Sequence, residues 1–249
     1  GTQTAAIACM ASPSLQTEAN LWNGTSWTEA NNLNDSRYQG IICGISTAML
    51  AAGGESSGSK VYTESYDGTS WSEENDLNTG RAYTGGFGTL TAGIIAGGMG
   101  TPPSTLESSV EEFNGTTWTE IIDINTARNR NNSAGTSTEG ITFGGETAAP
   151  GPANLTGKTE SYNGTTWIEV GDLATASETR GVAGTGSAAL GFGMQSPPSG
   201  TTVTEEWSIP SGAITIVQEG QVWYNTTSNV LKGYGKLGTG AWASGGALN

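Results

Sequence analysis

Histidine is absent from all 249 residues. That removes Ser-His-Asp and Cys-His nucleophile systems, histidine-ligated zinc and copper, and the usual general base. Cysteine occurs only as Cys9 and Cys43. Two thiols cannot make a zinc site alone, and both stand in Gly/Ala-rich apolar surroundings, so buried free thiols are expected rather than a disulfide. Basic residues are scarce: 9 against 23 acidic, a formal net charge of −14. A nucleic-acid backbone or an anionic membrane surface would be repelled. The plain meaning of the acidity is solubility; the sharper one is a saline medium or a cationic partner. No apolar run approaches the roughly 18 residues needed to span a bilayer, so membrane insertion is not expected. No signal peptide stands at the start. The chain opens without Met in the middle of a pattern, so the true N-terminus is expected upstream and targeting is left unread.

What the chain has instead is 39 glycines, with Ala, Thr, Ser and Asn filling much of the rest, and only 13% charged residues. That composition predicts many short strands joined by tight turns, in a chain long enough for a substantial core. It also has a repeat. "LWNGTSW", "SYDGTSW", "EFNGTTW" and "SYNGTTW" end at Trp27, Trp71, Trp118 and Trp167, spaced by 44, 47 and 49 residues. Six residues after each Trp comes Leu33, Leu77, Ile124 or Leu173. Ten after it comes Arg37, Arg81 or Arg128, with Ser177 in the fourth copy. Sixteen further on a Gly-Gly pair opens at Gly53, Gly97 and Gly144, replaced by Gly193-Met194 in the fourth unit. The period varies only between the Gly pair and the next aromatic, where a variable surface loop belongs.

Each unit reads as four strands. In one unit these fall near Ala82–Gly88, Thr91–Gly98, Ser108–Asn114 and Thr116–Ile121. Asn-Gly and Asp-Gly favour a two-residue type I′ turn. In "VYTESYDGTSWSEE" that turn would pair Tyr66 with Thr69 and Glu64 with Trp71. Tyr62, Glu64, Tyr66, Trp71 and Glu73 would then share one face. Glu64 and Glu73 on that face want a partner, and the recurring Arg, here Arg81, can supply one.

A four-stranded repeat of this length, with its Gly pair, its aromatics (Trp22, Tyr66, Phe113, Tyr162) and its tryptophans, resembles the kelch repeat over residues 1 to about 207. The resemblance implies an all-β fold, a kelch-type β-propeller of four-stranded blades, five to six in number, although the turn is shorter than in most kelch repeats. "GTQTAAIACMA" aligns with "GTLTAGIIAGG", so the first blade lacks its innermost strand. Residues 1–209 are therefore assigned to the propeller. In 210–249 lies an interrupted last blade or a small β module. There Trp207 takes the tyrosine position, Trp242 becomes the fifth anchoring tryptophan, and Leu248 and Asn249 match Leu77 and Asn78. "GQVWYNTTSNVLKGY" resembles a segment common in bacteriophage tail and fibre proteins, and "YNGTTWIEVGDLATA" resembles repeat proteins of marine phages.

Three functions compete. The resemblance implies a non-enzymatic virion component: a tail-fibre, spike or surface-decoration propeller. Its partners would be other virion proteins, further copies of itself in a homo-oligomer, and a glycan or protein receptor on the host surface, without nucleic acid or cofactor. The variable loops Met99–Ser108, Glu146–Thr159 and Met194–Thr202 would project from one rim, but they hold no aromatic residue for stacking a sugar. An intracellular kelch-type adaptor is the second reading, although no additional interaction domain is visible. A polysaccharide-degrading propeller is the third. It needs paired carboxylates in one cleft, whereas Glu29, Glu73, Glu120 and Glu169 recur two residues after each Trp, as scaffold residues do. Copper-dependent kelch-type oxidases need the histidine this chain lacks. The Asn-Gly-Thr sequons at Asn23, Asn114 and Asn163 are by-products of the turn, and no ligand-dense loop around Asp76 or Asp123 signals calcium.

Overall fold

The computed structural model describes residues 1–10, 17–100, 105–148, 154–178, 181–193, 195–196, 199–200, 203–209, 222–225, 230–233 and 241–244. For the segments 195–200 and 222–244 only backbone is described. The readings made at Met194, Leu248 and Asn249, and the middles of the variable loops, lie outside these residues.

The elements are strands, gathered in five antiparallel sheets in a propeller arrangement, with smaller two-stranded ladders beside them. Blade one has three strands, β1 (Ala6–Cys9), β2 (Ala19–Trp22) and β3 (Trp27–Glu29), in that order. Blade two runs β4 (Ile41–Ile45), β5 (Ala48–Ala52), β6 (Thr63–Tyr66) and β7 (Trp71–Glu73). A short β8 (Arg81–Ala82) leads into blade three, which holds β9 (Gly85–Thr89) and β10 (Ala92–Ala96). After β11 (Met99–Gly100), which pairs β8, it is completed by β12 (Val110–Phe113) and β13 (Trp118–Ile121). Blade four runs β14 (Asn132–Thr136), β15 (Glu139–Phe143), β16 (Thr159–Tyr162) and β17 (Trp167–Glu169). Blade five opens with β18 (Gly181–Gly184) and β19 (Ala188–Phe192). The ladder β20 (Gln195–Ser196) with β21 (Ser199–Gly200) precedes its third strand, β22 (Thr204–Ser208). The hairpin β23 (Val222–Asn225) with β24 (Val230–Gly233) comes before β25 (Ala241–Ser244), which pairs β22 as the fourth strand. Trp242 thus stands opposite Trp207, as Trp71 stands opposite Tyr66.

The first strands β4, β9, β14 and β18 lie side by side around the axis. Second strands are sandwiched between neighbouring blades, so they read as near-continuous apolar runs. Ile94, Ile95 and Ala96 of β10 are fully buried. Outer strands of the middle blades are buried at their tryptophan and open to solvent beyond it: Trp118 is buried while Thr119 and Glu120 are exposed. Among the described residues the core is correspondingly split into four clusters, one at each junction between consecutive blades. In blades two, three and four the aromatic pair fills the junction with the blade before it, as Phe113 and Trp118 do beside Cys43, Leu50 and Leu77. Ring centroids in these pairs are 4.8–5.1 Å apart for Tyr66–Trp71, Phe113–Trp118 and Tyr162–Trp167.

The hairpin register differs from the expected one. Tyr66 pairs with Trp71 and Glu64 with Glu73, so the connection is four residues, Asp67–Ser70, and not two. The reason is the side chain at the first position. Asp67 Oδ1 accepts the backbone N–H groups of Thr69 and Ser70, both at 2.8 Å, and Asn23, Asn114 and Asn163 do the same in their blades. That Asx turn needs positive φ only at the glycine, +96° at Gly68, where a type I′ turn needs it twice. The slip is two residues, an even number, so the same side chains still share one face.

Candidate functional site

Each later blade is entered through the segment that begins at the recurring Arg. Arg37, Arg81 and Arg128 are fully buried and pair with Glu64, Glu111 and Glu160 on the third strand of the blade they open. The partner of Glu64 is therefore Arg37, one unit earlier than Arg81, and Glu73 is exposed on the outer strand. The Arg81–Glu111 contact is 2.8 Å and Arg128–Glu160 2.5 Å. Each carboxylate also accepts N–H groups from the incoming loop: Glu111 Oε2 takes Asn78 N at 2.8 Å and Glu111 Oε1 takes Thr79 N at 3.2 Å. Arg81 donates in addition to the Ser109 carbonyl at 2.6 Å. In the fifth blade the Arg position is Ser177, and Glu205 accepts the N–H groups of Ala174 and Thr175.

The Gly pairs lock onto this segment. Gly54 N donates to the Arg81 carbonyl at 2.9 Å, Gly98 N to that of Arg128 at 2.8 Å and Gly145 N to that of Ser177 at 2.9 Å. A Cβ at Gly53, Gly97 or Gly144 would lie 2.6–2.7 Å from the same carbonyls, and φ there is +66° to +67°. Only glycine meets both demands. Arg, Glu and Gly are thus blade-joining parts, as are the tryptophans: Trp71 Nε1 reaches the Asn31 carbonyl at 3.0 Å and Trp118 Nε1 the Thr63 hydroxyl at 3.0 Å. Trp27 differs, at 53% exposed against 5–6% for Trp71, Trp118 and Trp167. Trp242 is placed by its backbone alone. Cys43 is buried and Cys9 half-buried, both free, with burial pushing each thiol up to about 12.

Beyond the Arg the units diverge, and there a cavity of about 290 Å³ opens where the first strands begin. Blade two brings Gln39 and Gly40 to it, blade three Tyr83 and Thr84, blade four Arg130, Asn131 and Asn132, and the entry to blade five Glu178. Gln39, Tyr83 and Arg130 occupy the same place in their units, two residues after the Arg, and all three are non-glycine residues at φ +55° to +60°. A shared hydrogen-bond ladder holds them there. Tyr83 N donates to the Gln39 carbonyl at 2.8 Å and Arg130 N to the Tyr83 carbonyl at 2.6 Å. The preceding residues are clamped to the strands leaving the Gly pairs, Tyr38 to Glu55, Ala82 to Met99 and Asn129 to Glu146. The cavity therefore lies on the rim from which the variable loops start.

The electrostatics centre on Arg130. Its Nη1 donates to Glu178 at 3.0 Å, its Nε lies 3.6 Å from Glu146, and its guanidinium sits 5.0 Å above the Tyr83 ring. Burial works against that charge, but Glu178 and Glu146 outweigh it and raise the Arg130 pKa. Burial, with the Tyr38 and Glu55 side chains, holds the Tyr83 hydroxyl protonated well above the usual tyrosine range. Buried polar atoms without a hydrogen-bond partner gather beside the cavity: both amide atoms of Asn129, Asn131 Oδ1 and Glu146 Oε2. Sequence reasoning looked for this region in the loops after the Gly pairs. It missed the segment that lines the cavity, although the differing triplets Tyr-Gln-Gly, Ala-Tyr-Thr and Asn-Arg-Asn after the repeated Arg carried the signal. Among the described residues no group of three or more metal-ligating side chains could hold an ion, and no helix is long and apolar enough to cross a membrane. Compared with protein-family models and with curated protein sequences, the chain matches none.

Proposed function

We propose that this chain is a non-enzymatic structural and adhesion module, a kelch-type propeller carried on a bacteriophage tail fibre, spike or particle surface. One observation carries the non-enzymatic part. The Arg–Glu pairs that recur from blade to blade are spent on holding the fold together, with essentially no exposure, while the polar groups that differ converge on one rim. A scaffold that repeats and a rim that varies is the division of labour of a recognition module. The phage setting rests on the resemblance of the repeat block and of the segment after Trp207 to phage proteins. Homo-oligomers, other virion proteins and a host-surface receptor are the partners this reading assigns. The degradative reading needs two carboxylates facing one cleft. Among the described residues the cavity lining holds one, Glu178, and it is engaged by Arg130.

The test is adsorption. Purified chain, fluorescently labelled, is mixed with candidate host bacteria, and antibody raised against it is used to label phage particles by immunogold. Saturable cell binding together with particle labelling is the expected outcome. Labelling confined to cytoplasm, or turnover of host polysaccharide by the purified chain, would overturn the proposal.

A further inference from the structure

We infer that the rim cavity is a binding site for a neutral saccharide, with Gln39, Arg130 and Asn132 as its contact residues. The inference rests on the adhesion reading for its biological use, but on the cavity itself for its chemistry.

Size comes first. About 290 Å³ is room for one or two pyranose rings and little more, at the small end of ligand pockets. The lining chemistry comes second. It consists of side-chain amides, hydroxyls, one guanidinium–carboxylate pair and the Tyr83 ring, with no aliphatic side chain larger than a threonine methyl among the residues named above. An apolar ligand would desolvate these groups and leave the Gln39 amide and Arg130 Nη2 without a partner. A polyhydroxylated ligand offers each of them a donor or an acceptor. The Gln39 amide makes no hydrogen bond to another described residue, and Arg130 Nη2 is likewise unengaged while Nη1 holds Glu178. Vicinal hydroxyls suit such a pinned guanidinium.

Charge decides between neutral and anionic sugars. Arg130 is the only cation lining the cavity among the described residues, and two carboxylates already face it, Glu178 at 3.0 Å and Glu146 at 3.6 Å. The chain as a whole carries −14. Among the described residues a sialic acid or sulfated sugar would meet no spare positive charge. The backbone supplies the last argument. Three side chains are held at positive φ at the same place in three units, where glycine would relieve the strain. The hydrogen-bond ladder explains the conformation but does not require Gln, Tyr and Arg there.

The experiment is saturation-transfer NMR on the whole chain. Neutral probes are methyl α-D-glucopyranoside, methyl β-D-galactopyranoside and N-acetylglucosamine; anionic probes are N-acetylneuraminic acid and glucose 6-sulfate. At least one neutral probe should bind, and Gln39→Gly and Arg130→Ala should each weaken that binding about tenfold. Gln39→Gly should unfold at or above the temperature of the parent, because it removes a strained φ, so lost binding cannot be blamed on unfolding. Asn132→Ala gives a third variant should Arg130→Ala fail to fold. Silence from every neutral probe, binding only of the anionic ones, or binding unchanged in all three variants would overturn the assignment. Cell adsorption that persists in Gln39→Gly would sink this site while leaving the adhesion reading standing.

Discussion

Arg81 shows how far a single residue is committed to the scaffold. Its guanidinium meets Glu111 at 2.8 Å with essentially no exposure on either side, and also holds the Ser109 carbonyl. Burial alone lowers the Arg81 pKa, and Glu111 opposes that shift. Removing one partner of such a pair leaves a buried charge without compensation, so Arg81→Ala should cost about 3–5 kcal/mol of stability. Neutralising both, as Arg81→Ala with Glu111→Gln, should recover part of that loss. It will not recover all of it, because Glu111 also accepts the N–H groups of Asn78 and Thr79, and unpaired buried groups cost about 1–3 kcal/mol. Urea denaturation of the two variants measures both numbers; a single variant within about 1 kcal/mol of the parent would refute the structural role. The sequence announced that an Arg and a Glu would meet. It did not announce which, since Arg81 stands nearer to Glu64 in sequence than Arg37 does, and only the blade geometry chooses the farther one.

At the scale of the element, the third-to-fourth strand hairpin carries a pH dependence that its copies lack. Asp67 stands where Asn23, Asn114 and Asn163 stand in the other hairpins, accepting the same two N–H groups. The Ser70 and Thr69 N–H bonds hold its carboxyl below the ordinary value. A group depressed in the folded state contributes stability above its unfolded pKa and loses it as pH falls through the folded one. The hairpin around Asp67 should therefore weaken below about pH 4, the usual carboxylate range. Asp67→Asn should keep the turn and flatten that part of the profile. Urea midpoints of parent and variant at pH 6 and pH 3 give the comparison, and equal losses in the two proteins would rule the mechanism out. The hairpin is also the clearest case of what pattern alone conveys. Tyr66, Trp71 and Glu64 were assignable to one face from their parity. The loop length was not, because a two-residue I′ turn and a four-residue Asx turn start from the same Asp-Gly and differ only in whether the side chain or a second positive φ closes the bend. The rim cavity was harder still. Its walls come from four units, at positions where no two share a residue, and repeat alignment discards such positions as noise.

For the whole molecule the informative contrast lies between blades flanked on both sides and the two at the limits of the array. Leu190 on blade five occupies the place of Leu50, Ile94 and Ile141, each fully buried, yet it is 37% exposed. Trp27 on blade one is the exposed member of the tryptophan series. Each apolar cluster among the described residues lies between consecutive blades, and none joins blade five to blade one. The energetics should divide accordingly. Leu50→Ala and Trp118→Ala empty sites inside closed junctions and should cost about 3–5 kcal/mol each. Leu190→Ala and Trp27→Ala remove surface that already meets water and should each stay within about 1 kcal/mol of the parent. The same pair should lower binding of an apolar dye, since exposed Leu and Trp surface of this kind is what such a dye detects. Guanidinium midpoints for the four variants, with dye fluorescence on the last two, test the division. If Trp27→Ala proved as costly as Trp118→Ala, Trp27 would be buried in solution and the division would fail.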